Sequence, residues 1–195
     1  MARSKEFDTA AVLRKSMAIF GRYGYEGTTL QQLLDGLGIA RQSLYDTYGT
    51  KRDLFLSAVK QYVNEKSDAV VSTLAQAASP KDAIASVFRE AANVLKDERR
   101  RNECFILQSA IDQIPLDDEL AEFFRRDMER LERAFLDALR RAEALGEIRP
   151  GKPLTALARY LNHARYGLTQ TAKLTTDSEA LDQIVAITLS TLSPE

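Results

Sequence analysis

The sequence predicts an all-α fold in which a small group of N-terminal helices precedes a larger helical domain. Only 5 prolines and 9 glycines occur among 195 residues, and the abundance of alanine, leucine, arginine and glutamate favours helices. Apolar residues recur every three or four positions through most of the chain. No segment of useful length alternates apolar and polar residues as a half-buried strand does.

The N-terminal segment has the pattern of a helix-turn-helix. A first helix is predicted over Asp8–Tyr23, and a hydroxyl side chain at Thr28 or Thr29 begins a second, short helix. Gly38 lies in the turn before a third short helix over about residues 40–47. Thr50 then begins a fourth helix that continues toward residue 77. Helices this short need a packing surface, which the first and fourth helices provide.

Further helices are predicted in the rest of the chain. They span about residues 80–96, 104–113, 117–145, 154–174 and 178–192. The charged run 96–101 is interpreted as a solvated bend. The longest helix carries an apolar stripe that consists of Leu120, Phe124, Met128, Leu131, Phe135, Ala138, Ala142 and Leu145.

The last two predicted helices leave two interpretations open. Both carry apolar stripes, and Ala158, Ala164 and Gly167 would let helices approach closely. Antiparallel pairs from two subunits can close a four-helix bundle, which predicts a homodimer through about residues 154–192. Alternatively, the same stripes complete the core of a single chain.

Composition disfavours several classes of function. Cys104 and His163 are the only cysteine and histidine, so a disulfide within the chain is excluded and a metal site or histidine-based triad is not expected. No phosphate-binding loop is present, and Asp117–Glu119 are interpreted as acids at a helix start, so we expect neither an enzyme nor a cofactor. Without a signal core or a run of about 18 apolar residues, the sequence predicts a cytoplasmic protein that does not enter a membrane.

Positive charge is concentrated near the N-terminus. Residues 1–60 hold nine lysines and arginines against six acidic residues, whereas the remaining residues hold 18 against 22. A basic segment joined to an acidic one suits an acidic partner that meets one end of the protein, such as nucleic acid. A chance fluctuation of a few charges is the plain alternative.

The third predicted helix has the chemistry for contacts with double-stranded DNA. Arg41 can donate two hydrogen bonds to guanine, Gln42 can pair with adenine, and Ser43 suits a base or a phosphate. Hydroxyl and cationic side chains around this helix suit phosphates. These further candidates are Thr28, Thr29, Tyr45, Thr47, Tyr48 and Lys51. Tyr45 has a second interpretation, in which it packs against the fourth helix.

A different class of function fits the same pattern. An all-helical adaptor could keep a helix-turn-helix for packing alone, and Arg41 and Gln42 would then be buried or dispensable. The sequence does not separate an activator of transcription from a repressor.

The stretch Gly27–Phe55, within a match over about residues 8–56, resembles the N-terminal signature of the TetR family of transcriptional regulators. The matching positions include Phe20, Gly24, Tyr25, Thr28, Thr29, Leu44, Tyr45, Lys51, Leu54 and Phe55. The resemblance implies a DNA-binding domain over residues 1–52 and a helical ligand-binding and dimerisation domain over 53–195. It also implies a homodimeric repressor that a small-molecule or reactive effector releases from a palindromic operator.

Three positions depart from the family pattern. Ala40 stands where serine is common, so a possible cap and phosphate ligand is lost. Gln42 replaces a frequent glycine and adds a possible base contact. Thr47 replaces a frequent aromatic residue and keeps a hydroxyl with less reach. These departures concern single contacts rather than the motif.

The resemblance further implies an effector cavity among the central helices of the second domain. The candidate ligand-binding residues are Phe88, Cys104, Phe105, Gln108, Phe124, Met128, His163 and Tyr166. Arg101–Leu107 also resembles a segment in which a cysteine senses electrophiles. The preceding arginines favour a thiolate at Cys104, whereas Glu103 opposes it, and an inert packed cysteine is the alternative.

Overall fold

The computed structural model describes residues 8–175 and 177–193, and this part of the chain is helical and contains no strand. The all-α prediction is therefore confirmed. The helices are α1 Thr9–Tyr23, α2 Leu30–Leu37, α3 Arg41–Tyr48, α4 Lys51–Gln76, α5 Pro80–Lys96, α6 Glu98–Cys104, α7 Ile106–Gln113, α8 Asp118–Ala144, α9 Leu154–Leu174 and α10 Ser178–Ser190. A 3₁₀ turn, Ile114–Leu116, lies between α7 and α8.

The chain forms two compact units. The first, the N-terminal unit, contains the described residues up to Val63 together with Asn102–Leu120. The second, the C-terminal unit, contains Asn64–Arg101 and the described residues from Ala121 onward. Helices α4, α6 and α8 each have residues in both units. The functional boundary after residue 52 stays a prediction.

An aromatic cluster holds the N-terminal unit together. Asp8 caps α1 by accepting hydrogen bonds from the backbone of its first turn, and Phe20 on the buried face of α1 is fully enclosed. The Phe20 ring meets Phe55 of α4 edge to face at 5.0 Å between centroids, and Tyr25 lies 4.7 Å from Phe55. These contacts fix α1 against the start of α4 through buried aromatic area.

Helix α1 also packs closely against the segment 102–120. The Ser109 hydroxyl of α7 donates a hydrogen bond of 2.9 Å to the carbonyl oxygen of Phe20. A Cβ atom on Gly21 would overlap the carbonyl oxygen of Asn102. The absence of a side chain at Gly21 therefore permits this approach of two backbones.

The charged run expected as a bend is helical instead. Residues 98–101 belong to α6, and the short helix predicted from Cys104 begins at Ile106. Asp97 provides the physical reason, because its carboxylate accepts a hydrogen bond of 2.9 Å from the Arg100 backbone N–H. This is the bond of a helix N-cap, and it satisfies an amide that a bend would leave to water.

Helix α8 buries most of its predicted apolar stripe as far as Ala142, with Met128 only partly buried. Phe135 is fully buried, with its ring 6.4 Å from that of Phe88 on α5. The prediction that Leu145 belongs to this buried stripe is wrong, because its side chain is 62% exposed. Helix α8 ends at Ala144, and Gly146 adopts a left-handed φ of 73°, which turns the chain away.

Helices α5, α9 and α10 contact one another in the C-terminal unit. Leu161 and Leu168 of α9 and Leu181 and Val185 of α10, members of the predicted stripes, are buried within the single chain. These members of the stripes therefore contribute to the core of this unit. Other members, such as Leu157 and Ile184, are only partly buried.

We expect Gly21→Ala to lower the free energy of unfolding by about 1–3 kcal/mol, because the added methyl group overlaps a backbone carbonyl that cannot rotate away. Urea denaturation followed by circular dichroism measures the change. Gly36→Ala in α2 is the control, since its methyl group would meet only the flexible side chain of Ile19, whose Cδ1 atom is nearest. Equal stability of the two variants would contradict the proposed close packing.

Candidate nucleic-acid interface

A tight turn joins α2, which is capped at both ends, to α3, whose N-cap residue Ala40 makes no side-chain hydrogen bond. The Gln32 backbone N–H donates to the Thr29 hydroxyl at 3.2 Å, and the Thr29 backbone N–H donates to the Gln32 side chain at 2.7 Å. This reciprocal capping box begins α2. Gly38, with a φ of 69°, ends the helix and directs the chain into α3. The predicted helix-turn-helix is present.

Helix α3 presents polar side chains outward over a buried leucine. Leu44 is fully buried, whereas Arg41, Gln42 and Thr47 are exposed and Ser43 is partly exposed. Tyr45 is 44% exposed, so a large part of its side chain remains open to an external partner. The first turn of α3 therefore offers a guanidinium, an amide and a hydroxyl to an external partner.

The amide of Gln42 is held by a neighbour on the same helix. Its Nε2 atom donates a hydrogen bond of 2.7 Å to Oδ1 of Asp46, one turn later. One amide hydrogen and the carbonyl oxygen of Gln42 are left for other bonds. Adenine offers the complementary acceptor and donor on its major-groove edge. The sequence analysis did not identify Asp46, although the i, i+4 spacing was visible.

The remaining candidates for phosphate contact differ in position. Thr29 is exposed at the start of α2, and the Lys51 ammonium lies 4.4 Å from the centroid of the Tyr25 ring. Thr28 is fully buried and donates to the Gly24 carbonyl oxygen at 2.6 Å. The Tyr48 hydroxyl donates to the Thr9 carbonyl oxygen at 3.0 Å, and burial raises the pKa of Tyr48.

Thr50 caps α4, as the sequence predicted. The Asp53 backbone N–H donates to the Thr50 hydroxyl at 3.2 Å, and the Asp53 carboxylate accepts from the Thr50 backbone N–H at 2.8 Å. These bonds from Thr50, with the backbone bond foremost, lower the pKa of Asp53. The start of α4 is therefore fixed directly after the helix-turn-helix.

An ion-pair network that the sequence analysis missed joins α4 to the start of α8 within the N-terminal unit. The Arg52 guanidinium lies 2.8 Å from the Asp117 carboxylate and 3.2 Å from Glu119, which also meets Lys60 at 2.6 Å. The bonds from Lys60 and Arg52 lower the pKa of Glu119. Asp117 also caps α8 by accepting from Leu120 N at 3.1 Å. Only tertiary structure brings positions about 60 residues apart together.

The effector candidates fall into both units. Cys104, Phe105 and Gln108 belong to the N-terminal unit, and Cys104, the last residue of α6, is 7% exposed. The others belong to the C-terminal unit. In that unit Phe88 and Phe124 are buried, Met128 and Tyr166 are partly buried, and His163 is exposed.

Asp127 and Ser67, which were not among the candidates, are buried beside Tyr166. A sequence signal for Asp127 existed, because it lies on the apolar face of α8 between Phe124 and Leu131.

Two features that other functions require are missing from the described residues. No group of three or more histidine, cysteine, aspartate or glutamate side chains is arranged to hold a metal ion there. None of the helices in that part of the chain combines the length and the apolar character needed to cross a membrane.

The capped α2–α3 pair with its exposed polar turn, followed by a helical C-terminal part, defines a helix-turn-helix DNA-binding regulator. Comparison with known proteins specifies the family. The model of bacterial regulatory proteins of the tetR family matches residues 12–58, and that of the tetracyclin repressor-like C-terminal domain matches residues 80–188. The chain belongs to the TetR family of transcriptional regulators.

Relatives and solved structures are similar over nearly the whole chain. The uncharacterized HTH-type transcriptional regulator YezE of Bacillus subtilis (strain 168) is 53% identical, covering 98% of this chain and 100% of that protein. The HTH-type transcriptional repressor ComR of Escherichia coli (strain K12) is 29% identical, with coverages of 96% and 90%. A cysteine mutant of the TetR family regulator CifR, in a complex with 26-base-pair operator DNA, gives a TM-score of 0.81 at 25% identity, with coverages of 98% and 100%.

We expect Thr29→Ala to lower the free energy of unfolding by about 1 kcal/mol, because the Gln32 backbone N–H loses the hydroxyl that accepts its hydrogen bond at the start of α2. Thr29→Ser keeps the hydroxyl and should retain most of the stability. Urea denaturation of both variants at neutral pH tests this. A Thr29→Ser variant as unstable as Thr29→Ala would show that the methyl group, and not the cap, matters.

Proposed function

We propose that the protein is a sequence-specific repressor that places α3 in the major groove of a palindromic operator. The observation that carries this proposal is the exposure of Arg41 and Gln42 at the N-terminal turn of α3, above the buried Leu44. The N-terminal residues of a recognition helix are those that contact base edges. Arg41 suits guanine and Gln42, held by Asp46, suits adenine.

The surrounding polar groups suit contacts with the sugar-phosphate backbone. Ser43, Tyr45 and Thr47 are available on α3, and the exposed Thr29 lies at the N-terminus of α2, where free amides favour an anion. Lys51 adds a positive charge at the start of α4. Thr28 and Tyr48 hold the backbone of the turn and of α1 through their hydroxyl groups, and we assign them a supporting role.

The adaptor alternative receives no support from these positions. It required Arg41 and Gln42 to be buried or dispensable, and both side chains are exposed. Asp46, on the same helix, is acidic and therefore repels the phosphates of DNA. Its hydrogen bond to Gln42 instead orients the amide of that side chain, which suits contact with a base.

We expect Arg41→Ala and Gln42→Ala each to reduce discrimination between the operator and unrelated DNA by about 5–150-fold, which corresponds to about 1–3 kcal/mol per base contact. Lys51→Ala should instead weaken binding to all sequences and reduce the slope of log affinity against log salt by about one. Fluorescence anisotropy with labelled DNA fragments that flank the gene for this protein, measured over a series of salt concentrations, tests both effects.

Wild-type protein that binds no flanking fragment specifically at low salt would contradict the repressor proposal. Specific binding that is indifferent to Arg41 and Gln42 would contradict the proposed base contacts while leaving DNA binding intact. The Lys51→Ala variant serves as the matched control, because it removes a charge near the same helix without removing a proposed base contact.

The operator proposal requires two copies of the chain, and we propose that they meet through the outer faces of α9 and α10, within residues 154–192. With the predicted stripes turned into the core of the C-terminal unit, the opposite faces expose Tyr160 on α9 and Ile187, 69% exposed, on α10. Gly167, also exposed, has open space where a side chain would lie. Apolar and small residues on neighbouring exposed faces suit an isologous interface.

We expect Ile187→Glu to shift the protein from dimer toward monomer, because the change buries a carboxylate in an apolar interface. Analytical ultracentrifugation at several concentrations measures the shift. Leu116→Glu is the control, because Leu116 is 79% exposed but lies in the 3₁₀ turn outside α9 and α10. A dimer that withstands Ile187→Glu, or dissociates equally with Leu116→Glu, would place the interface elsewhere.

Release by an effector is the second part of the proposed function. Suppose that an effector binds the conformation that cannot bind the operator more tightly than the operator-binding conformation, by about 1–3 kcal/mol. It then lowers the affinity for the operator about 5–150-fold. Helix α4 follows the recognition helix directly and continues from the N-terminal unit into the C-terminal unit. It is therefore a physical route by which a binding event changes the spacing of recognition helices.

A further inference from the structure

Asp46 is the residue of α3 that points most directly away from the body of the N-terminal unit. Leu44 is fully buried, and the Tyr48 hydroxyl donates to the Thr9 carbonyl oxygen of α1. These two side chains mark the inner side of the helix. Each residue of an α-helix turns by about 100°, which places Asp46, two positions from either of them, on the opposite side. The side chain of Asp46 is exposed, as this position requires.

A negative charge at the centre of this outer surface is unfavourable for simple attraction to DNA. Arg41 and Gln42 lie on the same surface, and the phosphates of DNA repel a carboxylate. The hydrogen bond that Asp46 accepts, at 2.7 Å, comes from the uncharged amide of Gln42 and therefore does not neutralise the charge. A favourable contact made by the carboxylate itself would offset the repulsion.

The bond to Gln42 uses only part of the hydrogen-bonding capacity of Asp46. Gln42 Nε2 donates to the Oδ1 atom of the carboxylate. A carboxylate accepts hydrogen bonds through both of its oxygens and donates none. The Oδ2 atom takes no part in the bond to Gln42, so it is available to a donor outside the protein.

Among the base edges of the major groove, that of cytosine best suits a group that only accepts hydrogen bonds. The N4 amino group of cytosine donates, whereas guanine offers only acceptors and thymine offers an acceptor and a methyl group. Adenine has a donor at N6 beside an acceptor at N7, and the acceptor repels a carboxylate. A carboxylate at the centre of a recognition helix therefore favours cytosine over the other three bases.

We propose that Asp46 is a specificity-determining residue whose Oδ2 atom accepts a hydrogen bond from the N4 amino group of a cytosine in the operator, while Oδ1 holds Gln42. The inference rests on the proposed function, because it adds a base contact to the placement of α3 in the major groove. Four residues of an α-helix rise about 6 Å, and successive base pairs lie about 3.4 Å apart. The cytosine is therefore at most about two base pairs from the adenine that Gln42 contacts.

The test is selection of binding sequences from a library of random DNA duplexes by the full-length protein. Fluorescence anisotropy then measures the affinity for the selected sequence and for every single base-pair change in one half-site. We expect one C·G pair whose replacement lowers the affinity of wild-type protein about 10–100-fold, the effect of one hydrogen bond to a charged group. This pair should lie within about two base pairs of the A·T pair whose contribution is lost in Gln42→Ala.

Asp46→Asn separates the two roles of the side chain. The asparagine carbonyl oxygen can still accept the bond from Gln42, but an amide nitrogen that donates replaces the second oxygen. We therefore expect the preference for cytosine to fall at least about tenfold and the preference for adenine to remain. Asp46→Ala removes both oxygens, so it should lose the preference for cytosine and weaken the preference for adenine as well.

Asp35→Asn on α2 is the matched control. Asp35 is exposed and accepts a hydrogen bond of 2.8 Å from Gln31 Nε2, so the two residues form the same kind of pair at the same spacing. Asp35→Asn and Asp46→Asn each remove one negative charge from the helix-turn-helix and should both bind unrelated DNA more tightly. Only Asp46→Asn should alter the preference for bases.

Three results would overturn the proposal. Base preferences that Asp46→Asn and Asp46→Ala leave unchanged would make the carboxylate a solvated charge. Loss of the preference for adenine in these variants, without a change at any cytosine, would limit Asp46 to orienting Gln42. The same change of base preference in Asp35→Asn would show an effect of net charge alone. Circular dichroism checks the folding of each variant, and the two Asp46 variants allow either one to decide.

Failure of the proposed function gives a different result. Wild-type protein that selects no sequence would overturn operator binding itself, and this inference with it. A selected sequence that depends on Arg41 and Gln42 but contains no cytosine sensitive to Asp46 would leave the repressor proposal in place. It would overturn the cytosine contact alone.

Discussion

Phe20 joins the elements on which the N-terminal unit depends. Its ring packs on Phe55 of α4, and its carbonyl oxygen accepts the hydrogen bond of Ser109 on α7. Helices α2 and α3 have eight residues each, too few to be stable in isolation, so they require this assembled surface. The exposed positions of Arg41 and Gln42 thus depend on buried aromatic packing that neither residue touches.

The same packing places a later part of the chain in the N-terminal unit. Segment 102–120 returns against α1 where Gly21 has no side chain, and its end is tied to α4 by the ion pairs of Arg52 with Asp117 and Glu119. The Arg52 and Glu119 side chains are exposed, so their ion pair stabilises the fold only slightly. The chain therefore passes between its two units three times, through α4, α6 and α8.

The C-terminal unit combines a largely apolar core with a small number of buried polar groups. Asp127 and Asn162 lie within helix faces that otherwise bury leucine and phenylalanine. Polar groups in such positions stabilise a fold poorly, because the loss of hydration offsets most of what their bonds contribute.

The sequence by itself determined the helical elements other than α6, the caps at Thr29 and Thr50, and the polar first turn of α3, since these depend on residues within about one helical turn. It also contained the family signature. Tertiary structure alone decided the ion pairs of Arg52, the burial of Thr28, and the inward orientation of Asn162 beside the outward His163. The reason is physical: helical periodicity limits a residue to a face, whereas contacts between segments about 60 residues apart depend on how those faces are packed.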